Sequence, residues 1–214
     1  MKRARVLLAD DHRIVAEGLK SLLEDDFDLA GIVSDGRTLV ETAKQKAPDV
    51  IVSDISMPLL NGLDAARQLK REGVAAKIIF LTQHADAHLA AEAFRVGASG
   101  YLLKNSAGEE LVTAISEVMR GRTYLTPLIT QDVLSLLMNS SELDDALTVK
   151  LTSRQRQVLQ LLAEGHSMKE VASVLNLSTK TVESHKYEMM KELDIKTNAE
   201  LVQYAVKIRL VNPN

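Results

Sequence analysis

The sequence predicts an α/β fold, a doubly wound five-stranded parallel sheet, followed by a small all-α domain. Two observations carry this expectation. From Arg5 to Met119 five short apolar runs alternate with five amphipathic segments, and after Tyr124 the alternation stops and only helical patterns remain. Strands separated by helices favour parallel pairing with helices on both faces of the sheet. A chain of 214 residues has room for one large or two small domains, each able to bury a core.

The first run, Arg5–Asp10, is apolar from Val6 to Ala9 and ends at the acids Asp10 and Asp11. A short run without alternation reads as a strand buried on both faces. Ile14–Leu23 follows, with Ile14, Val15, Leu19, Leu22 and Leu23 at helical spacing. The pattern then repeats as strand Leu29–Val33 and helix Thr38–Lys46, strand Val50–Asp54 and helix Gly62–Arg71. Strand Ile78–Thr82 and helix Ala87–Arg95 come next, then strand Tyr101–Lys104 and helix Glu109–Met119. Ser106 and Glu109 have the spacing of a capping box. The expected strand order is 2-1-3-4-5, the flavodoxin-like arrangement.

Pro127 opens a helical stretch (Leu128, Val133, Leu134, Leu136, Leu137) that fades into the polar Asn139–Asp145. This reads as a linker that starts as a helix and ends as flexible chain. Beyond it, Thr152 with Gln155, Ser167 with Glu170 and Thr197 with Glu200 have capping-box spacing. The expected division is a first domain over 1–122, a partly helical linker over 123–148 and a helical domain over 149–214.

Composition narrows the function. The chain has no Cys, which excludes disulfides, thiolate metal sites and a cysteine nucleophile and fits a reducing compartment. Val6–Ala9 is too short for the apolar core of a signal peptide, and no stretch approaches the ~18 apolar residues of a membrane span. A cytoplasmic protein with no membrane partner is expected. Residues 1–149 hold 16 basic and 22 acidic side chains, whereas 150–214 hold 10 basic and 7 acidic. A mildly basic second part suggests a polyanion nearby, although so small an imbalance decides nothing alone.

In sheets of this type ligands bind beyond the carboxyl ends of the strands. There stand Asp10 and Asp11 after the first strand, Asp54 at the third, Thr82 at the fourth and Lys104 at the fifth. A nucleotide-binding fold would carry a Gly-rich turn after its first strand, and here that turn is two acids and His12. Three clustered carboxylates repel one another unless a cation joins them, and hard oxygen donors favour Mg²⁺. One carboxylate can then act as a nucleophile toward a phosphoryl group. The metal, a Lys ammonium and a hydroxyl such as that of Thr82 would neutralise its oxygens. Taken singly, an acid at a strand end is ordinarily a solvated loop residue, Thr82 a helix cap, Lys104 a surface lysine and Tyr101 a partly buried strand residue with a wet hydroxyl.

The segments VLLADDH, DVIVSDISMPLLNGLD, IIFLTQH and ASGYLLK resemble the motifs of bacterial response-regulator receiver domains over roughly residues 3–122. The resemblance implies that Asp54 accepts the phosphoryl group. It implies that Asp10, Asp11, Asp54 and the carbonyl of Ser56 hold Mg²⁺, and that Thr82 and Lys104 contact the phosphoryl oxygens. Tyr101 is then the aromatic residue whose rotamer reports the state, and Ser56 and His84 tune dephosphorylation. His12 reads as a loop residue or modulator.

In the helical part, Val158, Leu159, Leu161 and Leu162 lie on one helix that stops at Gly165, and Val171, Ala172 and Leu175 share a face of the next. Asn176 and Leu177 turn the chain, and Ser178 can cap a longer helix. That helix can bury Val182, His185, Met189 and Leu193 and present Lys180, Glu183, Ser184, Tyr187 and Lys191. Short polar side chains at such a helix's start suit the major groove. Thr179, Thr181 and Lys186 could reach phosphates, and Lys180, Glu183, Ser184 and Tyr187 base edges. An ordinary protein-binding bundle has a similar pattern.

The stretch from roughly Val149 to Leu210 resembles the LuxR-type helix-turn-helix of NarL/FixJ response regulators, which implies DNA binding. Glu183 stands where relatives commonly have a basic residue, Glu192 where they have Lys, and Gln155 and Gln157 where they often have glutamates. Glu183 can accept from cytosine N4 but repels phosphates. Leu201, Val202, Ala205 and Val206 could supply a dimer contact, with Leu201 and Ala205 equally suited to the domain's own core.

Together these readings imply a phosphorylation switch, not an enzyme beyond its own phosphorylation chemistry, that regulates transcription. Its expected partners are a sensor histidine kinase, double-stranded DNA and a second copy of the chain. Activation could proceed by dimerisation or by release of an inhibitory contact. Two rivals remain at this stage: an Mg²⁺-dependent phosphohydrolase, which would need a second carboxylate where Ser56 stands, and an adaptor whose helical domain never touches DNA.

Overall fold

The computed structural model describes residues 3–138 and 151–211. Six parallel strands form one sheet: β1 (Arg5–Ala9), β2 (Asp28–Val33), β3 (Val50–Asp54), β4 (Lys77–Thr82), β5 (Gly100–Leu103) and β6 (Tyr124–Leu125). Their order, β2-β1-β3-β4-β5-β6, contains the expected 2-1-3-4-5 and adds one edge strand. β6 has only two residues and no pattern to announce it. The Tyr124 N–H donates to Ser99 O and the Thr126 N–H to Tyr101 O, which dock it beside β5.

Successive residues of a strand point to opposite faces, and two cores follow from this. Leu7, Ala9, Ile51, Phe80 and Tyr101 pack under α2 (Gly36–Lys46), α3 (Gly62–Arg71), α4 (Ala87–Arg95) and α6 (Thr130–Met138). Val6, Leu8, Val52, Ile79 and Leu81 pack on the other face under α1 (Arg13–Leu23) and α5 (Ala107–Met119). The strands lack polar alternation because both faces are covered.

Caps set the helix starts. The Asp35 carboxylate accepts from the Arg37 and Thr38 N–H groups, so α2 opens two residues earlier than the sequence suggests. The expected Ser106–Glu109 box does not form. A 3₁₀ turn over Lys104–Ser106 leads directly into α5, and the Ser106 hydroxyl donates to Leu103 O instead.

After α6 the expected flexible end of the linker, Asn139–Asp145, lies outside the described residues. The helices α7 (Ser153–Ala163), α8 (Met168–Leu175), α9 (Thr179–Glu192) and α10 (Asn198–Lys207) then surround their own core of Val158, Leu159, Leu161, Val171, Val182, Met189, Leu201 and Ala205. Full capping boxes open α7 and α8. At α10 the Thr197 hydroxyl caps the Glu200 N–H, but Glu200 accepts from the Lys196 N–H. No helix among the described residues is long and apolar enough to cross a membrane.

Candidate functional site

The sheet brings the predicted acidic residues together. Parallel register sets Leu8 beside Val52 and Ala9 beside Ser53, so Asp10, one residue on, comes level with Asp54. Thr82 ends β4 beside Leu103, and Lys104 follows directly. Lys104 Nζ donates to Asp54 Oδ2 at 2.7 Å and lies 2.7 Å from Asp10 Oδ2. The side chains of Asp10, Asp54 and Lys104 are only 2%, 7% and 8% exposed. Burial pushes the Asp54 carboxyl up; the Lys104 ammonium opposes this, Asp10 adds to it, and the net shift is upward. Burial would lower Lys104, but the charges of Asp54 and Asp10 outweigh it and hold the ammonium protonated.

Asp10, Asp11, His12 and Asp54 each offer a ligand atom within 4.8 Å of one another. Asp10 Oδ2 is buried and has the Lys104 ammonium as its one polar neighbour among the described residues. A buried carboxylate oxygen with a spare lone pair, among further hard donors, fits a divalent cation. His12, read from sequence as a loop residue, joins this cluster: its Nδ1 is 2.9 Å from Asp11 Oδ1, and its N–H donates to Asp10 Oδ1. The Ser56 N–H donates to Asp54 Oδ1 at 3.2 Å, placing that residue at the rim.

Thr82 is 1% exposed, and its hydroxyl oxygen accepts from the His84 N–H. Tyr101 is fully buried, and its hydroxyl donates to the His84 carbonyl at 3.0 Å, where a lone strand tyrosine would ordinarily be partly buried. The start of the linker explains the difference, because Ile129 and Val133 belong to the same core cluster. Burial raises the Tyr101 phenol well above its ordinary value. Gly62 permits the close approach of α3 to the end of β3: a Cβ there would stand 2.2 Å from Asp54 O.

On α9 the expected surface is present. Val182 and Met189 are buried, His185 and Leu193 half-buried, and Thr179, Lys180, Glu183, Ser184 and Tyr187 exposed, with Thr181 and Lys186 half-exposed. On α10 Leu201 and Ala205 enter the core while Val202 remains exposed.

Residues 6–116 match the response regulator receiver domain family, and residues 149–205 match the luxR family of bacterial regulatory proteins. This chain is a response regulator. It is 35% identical to the oxygen regulatory protein NreC of Staphylococcus carnosus, across 97% of this chain and 99% of that one. It is 36% identical to the response regulator UvrY of Escherichia coli K12, across 97% and 95%. Among solved structures, the RcsB response regulator of Salmonella typhimurium aligns over 97% of this chain and 99% of its own at 27% identity and a TM-score of 0.65. An RcsB–DNA complex aligns over 97% and 100% at 25% and 0.57. The chain therefore joins a receiver to a LuxR-type DNA-binding domain and belongs to a family that regulates transcription.

One feature of this regulator was not read from its sequence. Arg156 and Gln160 on α7 and Glu164, the residue that caps its end, are spaced one turn apart and face the loop between β3 and α3 and the first turn of α3. Arg156 makes a forked pair with Asp64, with Nη2 2.9 Å and Nε 3.2 Å from Oδ1. Gln160, 1% exposed, accepts from the Asn61 N–H at 2.9 Å and donates to Met57 O at 2.8 Å. Glu164 accepts from the Leu59 N–H at 3.2 Å through both oxygens. Arg209 also pairs with Asp86, which caps α4. Burial would raise Asp64, but Arg156, Arg67 and Asn61 outweigh it and hold the carboxyl below its usual range. The available signal was Gln160, a polar residue between the core positions Leu159 and Leu161.

Proposed function

We propose that Asp54 accepts a phosphoryl group from a phosphohistidine on a partner kinase and that this controls binding of α9 to double-stranded DNA, in the cytoplasm and as a homodimer on paired half-sites. The observation that carries the reading is Asp54, buried at a strand end with Lys104 on one oxygen and a second acid, Asp10, alongside. A carboxylate oxygen of Asp54 attacks phosphorus, the bond from phosphorus to the imidazole nitrogen breaks, and the electron pair leaves with the imidazole. Lys104 holds positive charge at the acceptor, and the Thr82 hydroxyl is one of the groups suited to hydrogen-bond a phosphoryl oxygen. Asp10, Asp11, Asp54 and the Ser56 carbonyl would hold Mg²⁺, which when bound neutralises charge on the transferred group.

Movement of Thr82 toward the phosphoryl group would be felt by Tyr101 through the His84 segment, which bonds to both. The boundaries 1–122, 123–148 and 149–214 are the units we assign to switch, linker and DNA reader. The exposed face of α9 supports base reading by Lys180, Glu183, Ser184 and Tyr187, with Thr179, Thr181 and Lys186 toward phosphates. The DNA complex of RcsB supports the same use of the second domain. Duplexes selected from a random pool should bind the phosphorylated protein more tightly than the unphosphorylated one. Asp54→Asn should remove the difference, and equal affinity in both states would contradict the coupling.

A further inference from the structure

We propose that α7 belongs functionally to the phosphoryl-acceptor site: Arg156, Gln160 and Glu164 position the loop after Asp54 and restrain the rate at which Asp54 is phosphorylated. The inference rests on Asp54 being the acceptor. The loop from Ile55 to Asn61 carries Ser56, and α7 holds it at Met57, Leu59 and Asn61. Asp64, in the first turn of α3, is the fourth anchor. Leu59 is held at φ +65°, a backbone conformation that a bulky side chain rarely adopts, and its side chain packs on the core of the second domain. Strain of this kind persists only where surrounding contacts hold it; here the Leu60 N–H bonds Pro58 O across Leu59 within the loop, and Glu164 accepts from the Leu59 N–H.

The same helix narrows access. A cleft at the acidic cluster is lined by Asp11, Ser56 and Met57 from the receiver and by Ala163, Glu164 and Leu210 from the second domain. Glu164 adds a carboxylate where an anionic phosphodonor would enter, and like charge in a confined cleft slows that entry. Meanwhile α9 remains free: Tyr187 is 70% exposed. Among the described residues, the polar contacts between the domains come from α7 and from Arg209, not from α9. This arrangement therefore hinders the acceptor and not the DNA-reading face.

The test uses the full chain. Wild type, Arg156→Ala, Arg156→Lys and Glu164→Gln are incubated with phosphoramidate and Mg²⁺, phosphorylation is followed by intact mass, and thermal unfolding verifies each fold. Arg156→Ala should be phosphorylated several-fold faster. Arg156→Lys, which keeps the charge but not the fork, should fall between wild type and Arg156→Ala, and Glu164→Gln should be faster than wild type chiefly at low salt. Affinity of the unphosphorylated variants for a mixed-sequence duplex should match wild type. Equal phosphorylation rates in all four proteins would overturn the proposal while leaving Asp54 as acceptor. So would a gain in DNA affinity without a gain in rate. Absence of label on every protein, wild type included, would instead overturn the reading of Asp54 and the proposal with it.

Discussion

Lys104 stands between two carboxylates that are each almost wholly buried, at 2.7 Å from an oxygen of Asp54 and of Asp10. Removing one partner of a buried pair leaves uncompensated charge and costs about 3–5 kcal/mol. Lys104→Ala should lose stability on that scale in urea unfolding, and Mg²⁺ should restore part of it. No recovery with Mg²⁺ would count against the cluster as a cation site. Asp64 sets a pH limit on the domain contact. Its carboxyl is held below the ordinary value by Arg156 on α7 and by Arg67 and Asn61, with Arg67 also paired to Glu92 on α4. A depressed acid contributes fully above its unfolded value of about 3.9 and loses that contribution as pH falls through its folded value. The contact should hold at pH 5 and loosen only below pH 4, read as a rise in radius of gyration by small-angle scattering. Asp64→Asn should weaken the contact at neutral pH and flatten its acid dependence.

Among elements, α3 is placed by what it lacks. A methyl group at Gly62 would collide with the Asp54 carbonyl, and at Gly36 with that of Leu60. Gly62→Ala should destabilise the protein by about 1–3 kcal/mol, the usual cost of overpacking, and slow phosphorylation by shifting the acceptor. On α9, Lys180→Ala and Tyr187→Ala should each weaken specific DNA binding by about 1–3 kcal/mol in fluorescence anisotropy, and Tyr187→Ala should also relax sequence preference. Unchanged isotherms for both would mean that another face reads DNA. These elements were legible to different degrees. Strands β1 to β5 and the residues at their ends were readable because burial on both faces removes alternation and the polar punctuation marks the site. The two-residue β6 has too short a pattern to read. The Ser106 cap failed because spacing alone does not reveal a 3₁₀ turn before the helix. The full burial of Tyr101 was not legible because its cover includes a linker helix whose docking no local pattern encodes.

In the whole molecule the two domains were separable in sequence by the loss of alternation and the change in charge balance, but their contact was not. Arg156, Gln160 and Glu164 look like a solvated helix face, and their partners lie about a hundred positions away. On the proposed role of Asp54, that contact links the loop after it to the DNA-binding domain, and the arrangement of the domains and phosphorylation are then coupled at equilibrium by one free energy. The most direct test of the account is the intact mass of the protein after incubation with phosphoramidate, with and without Mg²⁺, for wild type and Asp54→Asn. The account predicts one added phosphoryl group on wild type only, dependent on the metal. An equal gain on Asp54→Asn, or no gain on wild type, would contradict it.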